Sequence, residues 1–311
     1  MSKKILVVGS SNMDLSMNVY KIPEPGQTLL DDGGVAYTPG GKGANAAVAF
    51  ARLGADCVLC TKLGADVHGQ RLFTYYKEAG INTSAIKVDR DYPTGFAAIL
   101  KEADGNNRII CYPGANSHIS NENIIEAFSC MSDALYIGFE IPFSTAVAAA
   151  KIASAKGIPI FVDAAPASRE YPLESLPYVE VFSPNETETL EYTGITPTGT
   201  ESCLKAAYMI KSRVKCGSVV IKLGGRGAFI YDGKYFDMIP AYKPEKVVDT
   251  TAAGDTFTAA MTLEYLRSGN LQNAVRYGAA AAAIAVSRRG ASTSIPTEAE
   301  VMKFLGSTES Y

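Results

Sequence analysis

Residues 247–257 read VVDTTAAGDTF: a β-branched run stops at Asp249, passes through Ala252, Ala253 and Gly254, and presents a second carboxylate, Asp255. If a helix begins near Gly254, its first N–H groups have no intrahelical acceptor and its dipole adds partial positive charge. An anion can then settle there with Asp255 beside it. The same residues also suit an ordinary helix start, with Asp249, Thr250 or Thr251 as the N-cap, and this segment alone does not separate the two readings. Other residues with chemical potential follow apolar runs: Asn12 and Asp14 after ILVVG, Glu140 after ALYIG, Asp163 at the end of IPIFVD, and Asn185 after VEVFS. Two glycine-rich turns, TPGGKGANAA (38–47) and KLGGRG (222–227), complete the set. Such an assortment suits phosphoryl transfer, which needs positioning, neutralisation of charge on the moving group, and a carboxylate to take the acceptor's proton.

Other chemistries fit less well. The lysine of GGKG lacks the Walker A spacing, because position 36 is alanine and Lys42 is followed by Gly43. GSSNMD after the first apolar run is not GxGxxG. His68 and His118 are the only histidines, and neither lies in a motif offering a serine or cysteine nucleophile. Cys57 and Cys60 form a CxxC, but within the strand-like DCVLCTKLG, where residues three apart point to opposite faces and cannot share a metal ion.

The elements that must position these residues alternate. Strand-like runs at 5–9, 57–63, 134–138, 158–163 and 218–224 interleave with helical patterns at 43–53, 68–79, 144–156, 201–213, 255–267 and 272–286. That order predicts a mainly parallel sheet with helices on both faces, and ligands gather outside the carboxyl ends of its strands. Residues 15–19 with 28–37, and FAAILKE with NRIICY about the turn Asp104–Gly105, read instead as antiparallel ribbons. With no repeat or linker visible, these ribbons (about 15–38 and 95–112) are expected to form a lid inserted into one domain spanning 1–311. A face carrying Val35, Tyr37, Ala98 and Leu100 is too apolar for a solvated flap and points to a homodimer paired through the lids.

Composition bounds the function. The 311 residues are 47% hydrophobic and 20% charged, with net charge -3. That is a soluble profile offering no basic footprint for nucleic acid or membrane. The apolar run in MSKKILVVGSS is too short for a signal peptide, and AAAAAIAV (279–286) reads as a closely packed buried helix. Six scattered cysteines fit a cytoplasmic protein.

Eight segments together resemble the ribokinase-like carbohydrate kinases, nearly end to end: GSSNMD (9–14), GGKGAN (40–45), PGAN (113–116), AAPA (164–167), SPNETE (183–188), KLGGRG (222–227), DTTAAGDTF (249–257) and AAIAVSRRGA (282–291). GGKGAN and DTTAAGDTF are the most specific. The resemblance implies a three-layer α/β/α sandwich around a mainly parallel sheet, with a small inserted β-sheet lid. It also implies ATP-dependent phosphorylation of D-ribose on its 5-hydroxyl. A fructose, deoxyribose or nucleoside kinase of the same family and a non-catalytic sugar-binding regulator are the alternatives.

In that likeness Asp255 is the general base, and Ala252, Ala253 and Gly254 expose N–H groups to the transferring phosphate. Asn12, Asp14, Gly41, Lys42, Gly43, Asn45 and Glu140 hold the sugar; a carboxylate such as Asp14 can accept from two vicinal hydroxyls. Asn185, Lys222, Leu223, Gly224, Gly225, Arg226, Gly227, Gly254 and Ala279 surround the nucleotide. Lys222 departs from the threonine common among relatives, and Ala279 stands where a polar adenine neighbour can occur. Asn185 and Glu188, an NxxE, place water-bound Mg²⁺, although NxxE also suits a capping pattern. Asp249 with Thr251, Ala285, Arg288, Gly290 and Ser294 resembles a K⁺ site.

Overall fold

The computed structural model describes residues 2–30, 33–102, 107–130 and 132–308. The chain enters at β1 (Lys4–Val8), whose five-residue KILVV is buried from Ile5 onward. It then leaves the main sheet for β2 (Asn12–Val19) and β3 (Val35–Gly40), and returns through α1 (Lys42–Arg52), β4 (Asp56–Gly64), α2 (Val67–Glu78) and β5 (Ile86–Asp89). A second excursion makes β6 (Gly95–Glu102) and β7 (Asn107–Tyr112), followed by α3 (Asn121–Ala127), β8 (Ala134–Ile137), α4 (Phe143–Ala155), β9 (Ile160–Asp163) and β10 (Val179–Ser183). The remainder comprises α5 (Glu186–Thr193), α6 (Thr200–Arg213), β11 (Cys216–Lys222), β12 (Ala228–Tyr231), β13 (Phe236–Ile239), α7 (Ala253–Ser268), α8 (Leu271–Ala285) and α9 (Glu298–Thr308).

The main sheet runs β13-β12-β11-β10-β9-β8-β1-β4-β5, parallel from β11 to β5, with β12 and β13 antiparallel at one edge. Because side chains alternate along a strand, β1 feeds two cores. Ile5 and Val7 pack with α1, α7 and α8, while Leu6 and Val8 pack with residues of α3, α4 and α6. The same alternation sends Cys57 to the first core and Cys60 to the second, and burial pushes both thiols up, that of Cys60 to about 12. The CxxC is therefore two core residues. From β1 the chain winds to β4 on one side and later to β8 on the other. The crevice at this reversal is where ligands enter such sheets.

The second sheet, β3-β2-β6-β7, stands over that crevice. Asn12 and Asp14, which follow β1, belong to β2 of this sheet. In the expected ribbon at 28–37, strand among the described residues begins at Val35, and the Asp104–Gly105 turn lies outside them. Register places Tyr37, Leu15, Ala98 and Ile110 in one row and Val35, Met17, Leu100 and Arg108 in the next, on the face turned away from the crevice. Among the described residues no helix is long and apolar enough to cross a membrane; 279–286 falls within and just after α8, with Ala280, Ala281 and Ala285 fully buried.

Candidate active site

The floor of the crevice is built by backbones in close approach. Gly41, the N-cap of α1, has φ 90, a left-handed value that glycine adopts without strain. A methyl group on Gly40 would overlap the Asp14 carboxylate, and one on Gly43 would sit 2.6 Å from the carbonyl carbon of Gly9. No side chain of the N-cap caps α1. Glu140 compensates: its Oε2 accepts the Lys42 N–H at 2.9 Å and the Ser10 hydroxyl. Asn12 Oδ1 accepts from Asn116 Nδ2 at 2.8 Å, and Asn116 also accepts from the Ser11 N–H and donates to its carbonyl. Asn116 lies in PGAN, but its bracing of Asn12 was not legible in that motif.

Helix α7 aims its N-terminus at the same floor. Its N-cap, Ala252, has φ 59, the one positive value outside glycine among the described residues, and such strain concentrates at functional sites. The Ala253 N–H reaches the Thr250 carbonyl at 3.3 Å, a long bond, and Gly254 follows it in the first turn. Asp255, 5% exposed, receives the Asn45 amide at 2.8 Å on Oδ2 and lies 3.9 Å from the Lys42 ammonium through Oδ1. Burial raises the Asp255 carboxyl above the usual range, with Lys42 pulling the other way; Asp255 in turn holds the Lys42 ammonium above the ordinary lysine range, against burial. Asn45 Oδ1 is buried with no hydrogen-bond partner among the described residues. Asp14 is pushed up to about 7, first by burial and then by the nearby charges of Glu140 and Asp255. Three carboxylates thus converge on one small space, a poor arrangement for an empty protein and a good one for a ligand rich in hydroxyl donors.

Above the floor, Asp14, Ser16, Thr38 and Lys101 of the lid sheet face Asp249, Thr251 and Gly290 across a cavity of about 670 Å³. Asp249 Oδ1 accepts both the N–H (2.9 Å) and hydroxyl (2.5 Å) of Thr251; Oδ2 faces the Gly290 N–H at 3.3 Å and the Lys101 ammonium at 3.6 Å. Burial opposes these contacts, yet together they hold the Asp249 carboxyl below the usual carboxylate range. The Ala285 carbonyl accepts only a 3.1 Å bond from the Arg288 N–H among the backbone contacts described; the Arg288 side chain pairs with Glu300, and the Ser294 hydroxyl donates to the Ala291 carbonyl. This loop therefore offers oxygen donors and a carboxylate, the chemistry that suits a hard cation.

A second, apolar cavity of about 300 Å³ lies on the far side of the α7 N-terminus. Lys222, Gly224, Gly225 and Gly227 line one wall, Gly254 and Ala279 the other. Tyr242, Pro244, Val247 and Val286 also line it, none of them apparent in the sequence because they come from an irregular segment and a helix end. Two expected neighbours point elsewhere: the Leu223 side chain is in the core, and Arg226 binds the Thr198 and Pro197 carbonyls and Glu186. Any part they take falls to their backbones. Asn185 and Glu188 form a reciprocal capping box at the start of α5, at 2.7 and 2.8 Å. Burial raises the Glu188 carboxyl, opposed chiefly by Lys222. One capping bond engages Glu188 Oε2 and the other Asn185 Oδ1, and the second Glu188 carboxylate oxygen could serve a hydrated cation near the charges of Asp163 and Lys222.

A helix N-terminus pointed at a buried carboxylate, a floor of converging carboxylates and amides under a β-sheet lid, and an adjacent apolar cavity suit phosphoryl transfer to a polyol. In agreement, residues 2–298 match the pfkB family carbohydrate kinase description, and the chain belongs to this family. It is 36% identical over 309 residues to a ribokinase of Haemophilus influenzae (98% of this chain, 99% of that protein) and 35% identical over 305 residues to one of Staphylococcus aureus (97% and 99%). The structure of Arabidopsis thaliana ribokinase complexed with ribose and ATP superposes with TM-score 0.88 at 29% identity, covering 98% of this chain and 99% of that one.

Proposed function

We propose that the protein is an ATP-dependent ribokinase that transfers the γ-phosphoryl group to the 5-hydroxyl of D-ribose. The observation that carries this reading is the Asn45–Asp255–Lys42 cluster at the N-terminus of α7, in which Asn45 and Asp255 are buried and the Lys42 side chain is partly exposed, placed between the hydroxyl-binding floor and the apolar cavity. The ribokinase names of full-length relatives and the ribose and ATP bound in the Arabidopsis enzyme support the choice of substrates. Asp14, Asn12, Asn45 and Glu140, with the backbone of Gly41 to Gly43, hold the sugar. Asp255 accepts the proton as the hydroxyl oxygen attacks, while the N–H groups of Ala252 to Gly254 receive the transferring oxygens. The nucleotide lies along Lys222 to Gly227, with its base against Ala279.

Mg²⁺ held through water by Asn185 and Glu188 would neutralise phosphate charge. K⁺ within the Asp249, Thr251, Ala285, Arg288, Gly290 and Ser294 loop would order the segment leading into α7. The outward rows of the lid, where Val35 is 58% and Ile110 is 73% exposed, suit pairing with a second copy. Six free cysteines, four of them buried, accord with a cytoplasmic setting.

A coupled ADP-release assay across ribose, 2-deoxyribose, fructose and adenosine tests the substrate. Ribose is expected to have the highest kcat/KM, and 2-deoxyribose to fall by about one to two decades because a missing hydroxyl leaves a buried polar group unpaired. A higher value for fructose or adenosine overturns the assignment.

A further inference from the structure

Lys222 ends β11, but its side chain does not follow the phosphate-binding turn that begins there. It reaches across to Asp163 at the end of β9, Nζ to Oδ1 at 2.8 Å, and to Thr258 Oγ1 in α7 at 3.2 Å. Asp163 is itself fixed, because its other oxygen receives the Tyr136 hydroxyl at 3.2 Å. Thr258 donates its own proton to the Gly254 carbonyl at 3.1 Å and can only accept from the lysine. The side chains of Lys222 and Asp163 are 11% and 3% exposed, so this is an interior pair.

An ammonium has three donors. Asp163 and Thr258 take two, and Lys222 lines the apolar cavity together with Gly224, Gly225, Ala253 and Gly254. Its nitrogen would lie 3.9 Å from a methyl placed on Gly254, at the first turn of α7. A simple strut between β9, β11 and α7 needs no such opening onto the cavity, and a hydrophobic side chain of similar size would serve as well there. A charge held rigidly at the mouth of a helix N-terminus, with a donor still to give, matches a phosphate oxygen.

We infer that Lys222 is a catalytic cation: its third N–H binds an oxygen of the nucleotide's β-phosphate, and Asp163 is the positioning residue that aims it. The inference rests on the kinase reading above. In the transfer, the bond from the sugar oxygen to the γ-phosphorus forms and the β–γ bridging O–P bond breaks. The electron pair stays on the departing diphosphate, and the hydroxyl proton passes to Asp255. Lys222 keeps its proton throughout and offsets the charge that accumulates on the leaving β-phosphate.

The test is calorimetric binding of ADP and of adenosine, with magnesium present and sugar absent, to the wild type, to K222M and to the neutral pair K222M/D163N. The double variant guards against unfolding, since K222M alone leaves Asp163 buried without its cation. Loss of a charge-assisted bond should weaken ADP binding by about ten- to a hundredfold in both variants while adenosine binding stays within about twofold. kcat should fall by at least the factor lost in ADP affinity. A strut would move ADP and adenosine together, and that result overturns the inference; so does an unchanged ADP-to-adenosine ratio in the folded double variant. If the wild type binds no ADP, the kinase reading and this inference fall together, whereas ADP binding by the wild type with an unchanged ratio in the variants refutes Lys222 alone.

Discussion

Replacing Asp14 by asparagine should make the sugar-free protein more stable while impairing its function. Asp14 is 8% exposed, and burial with the charges of Glu140 and Asp255 moves its carboxyl from 3.8 to about 7. In the unfolded chain the group ionises at its ordinary value, so below pH 3.8 the two states bind the same proton and no penalty exists. As pH rises, the unfolded state releases that proton first and unfolding is favoured, until the folded carboxyl also ionises near 7 and the penalty levels off. At ~1.4 kcal/mol per tenfold change in acidity, the full displacement corresponds to about 4 kcal/mol; local relaxation in a cleft that admits water leaves about 2 to 4 kcal/mol. Asparagine keeps the shape without the charge. Urea denaturation of both proteins should therefore give a stability gain for D14N that is small near about pH 4.5 and larger by roughly 2 to 3 kcal/mol near about pH 8. At neutral pH this is a rise in Tm of about 3 to 6 °C. The ionised form is the one that accepts two hydroxyls, so KM for ribose should also climb in the wild type as pH falls below about 7. A D14N protein that is less stable, or equally more stable at both pH values, would refute the reasoning.

Three further outcomes follow from the same geometry. Turnover should rise when K⁺ replaces Na⁺ at fixed ionic strength, through the Asp249 loop that leads into α7; equal rates would leave that loop without a cation role. Sedimentation at micromolar concentration should give a dimer, and exchanging the exposed Ile110 on the outward lid face for aspartate should yield monomer, while a monomeric wild type would leave the face needing another cover. Changing Gly40 to alanine should raise KM for ribose by at least about tenfold, because the added methyl must displace the Asp14 carboxylate; unchanged KM would show that Asp14 does not hold the sugar.

Much of this organisation was readable in the chain because local pattern encodes it. The apolar runs ILVV and IFV predict strands covered on both faces, and the glycines of GGKGAN predict close backbone approach. What stayed hidden depends on distant partners. Lys222 meets Asp163 59 residues away, and Asn116 braces Asn12 across 104 residues, pairings that no periodicity carries. The first ribbon was expected to begin at residue 15, yet β2 already begins at Asn12, where pairing with β3 and β6 draws the polar residues after β1 into a strand. The NxxE at 185–188 had two physical uses open to it, and the capping box is formed while a carboxylate oxygen remains for a second. The antiparallel β12 and β13 are short, four residues each, and are separated by the tight turn at 232–235, so neither shows a run long enough to read as a strand.

The central claim, that Asp255 takes the proton of the attacking hydroxyl at the α7 N-terminus, is tested most directly by D255N with ribose affinity and single-turnover rate measured separately. The amide cannot accept the proton, although it keeps the hydrogen-bonding neighbourhood of Asn45. Ribose should bind the variant within a few-fold of the wild type, and the rate of ADP formation should fall by at least about 10²- to 10⁴-fold. A folded D255N that binds ribose and turns over within about tenfold of the wild type would contradict the account.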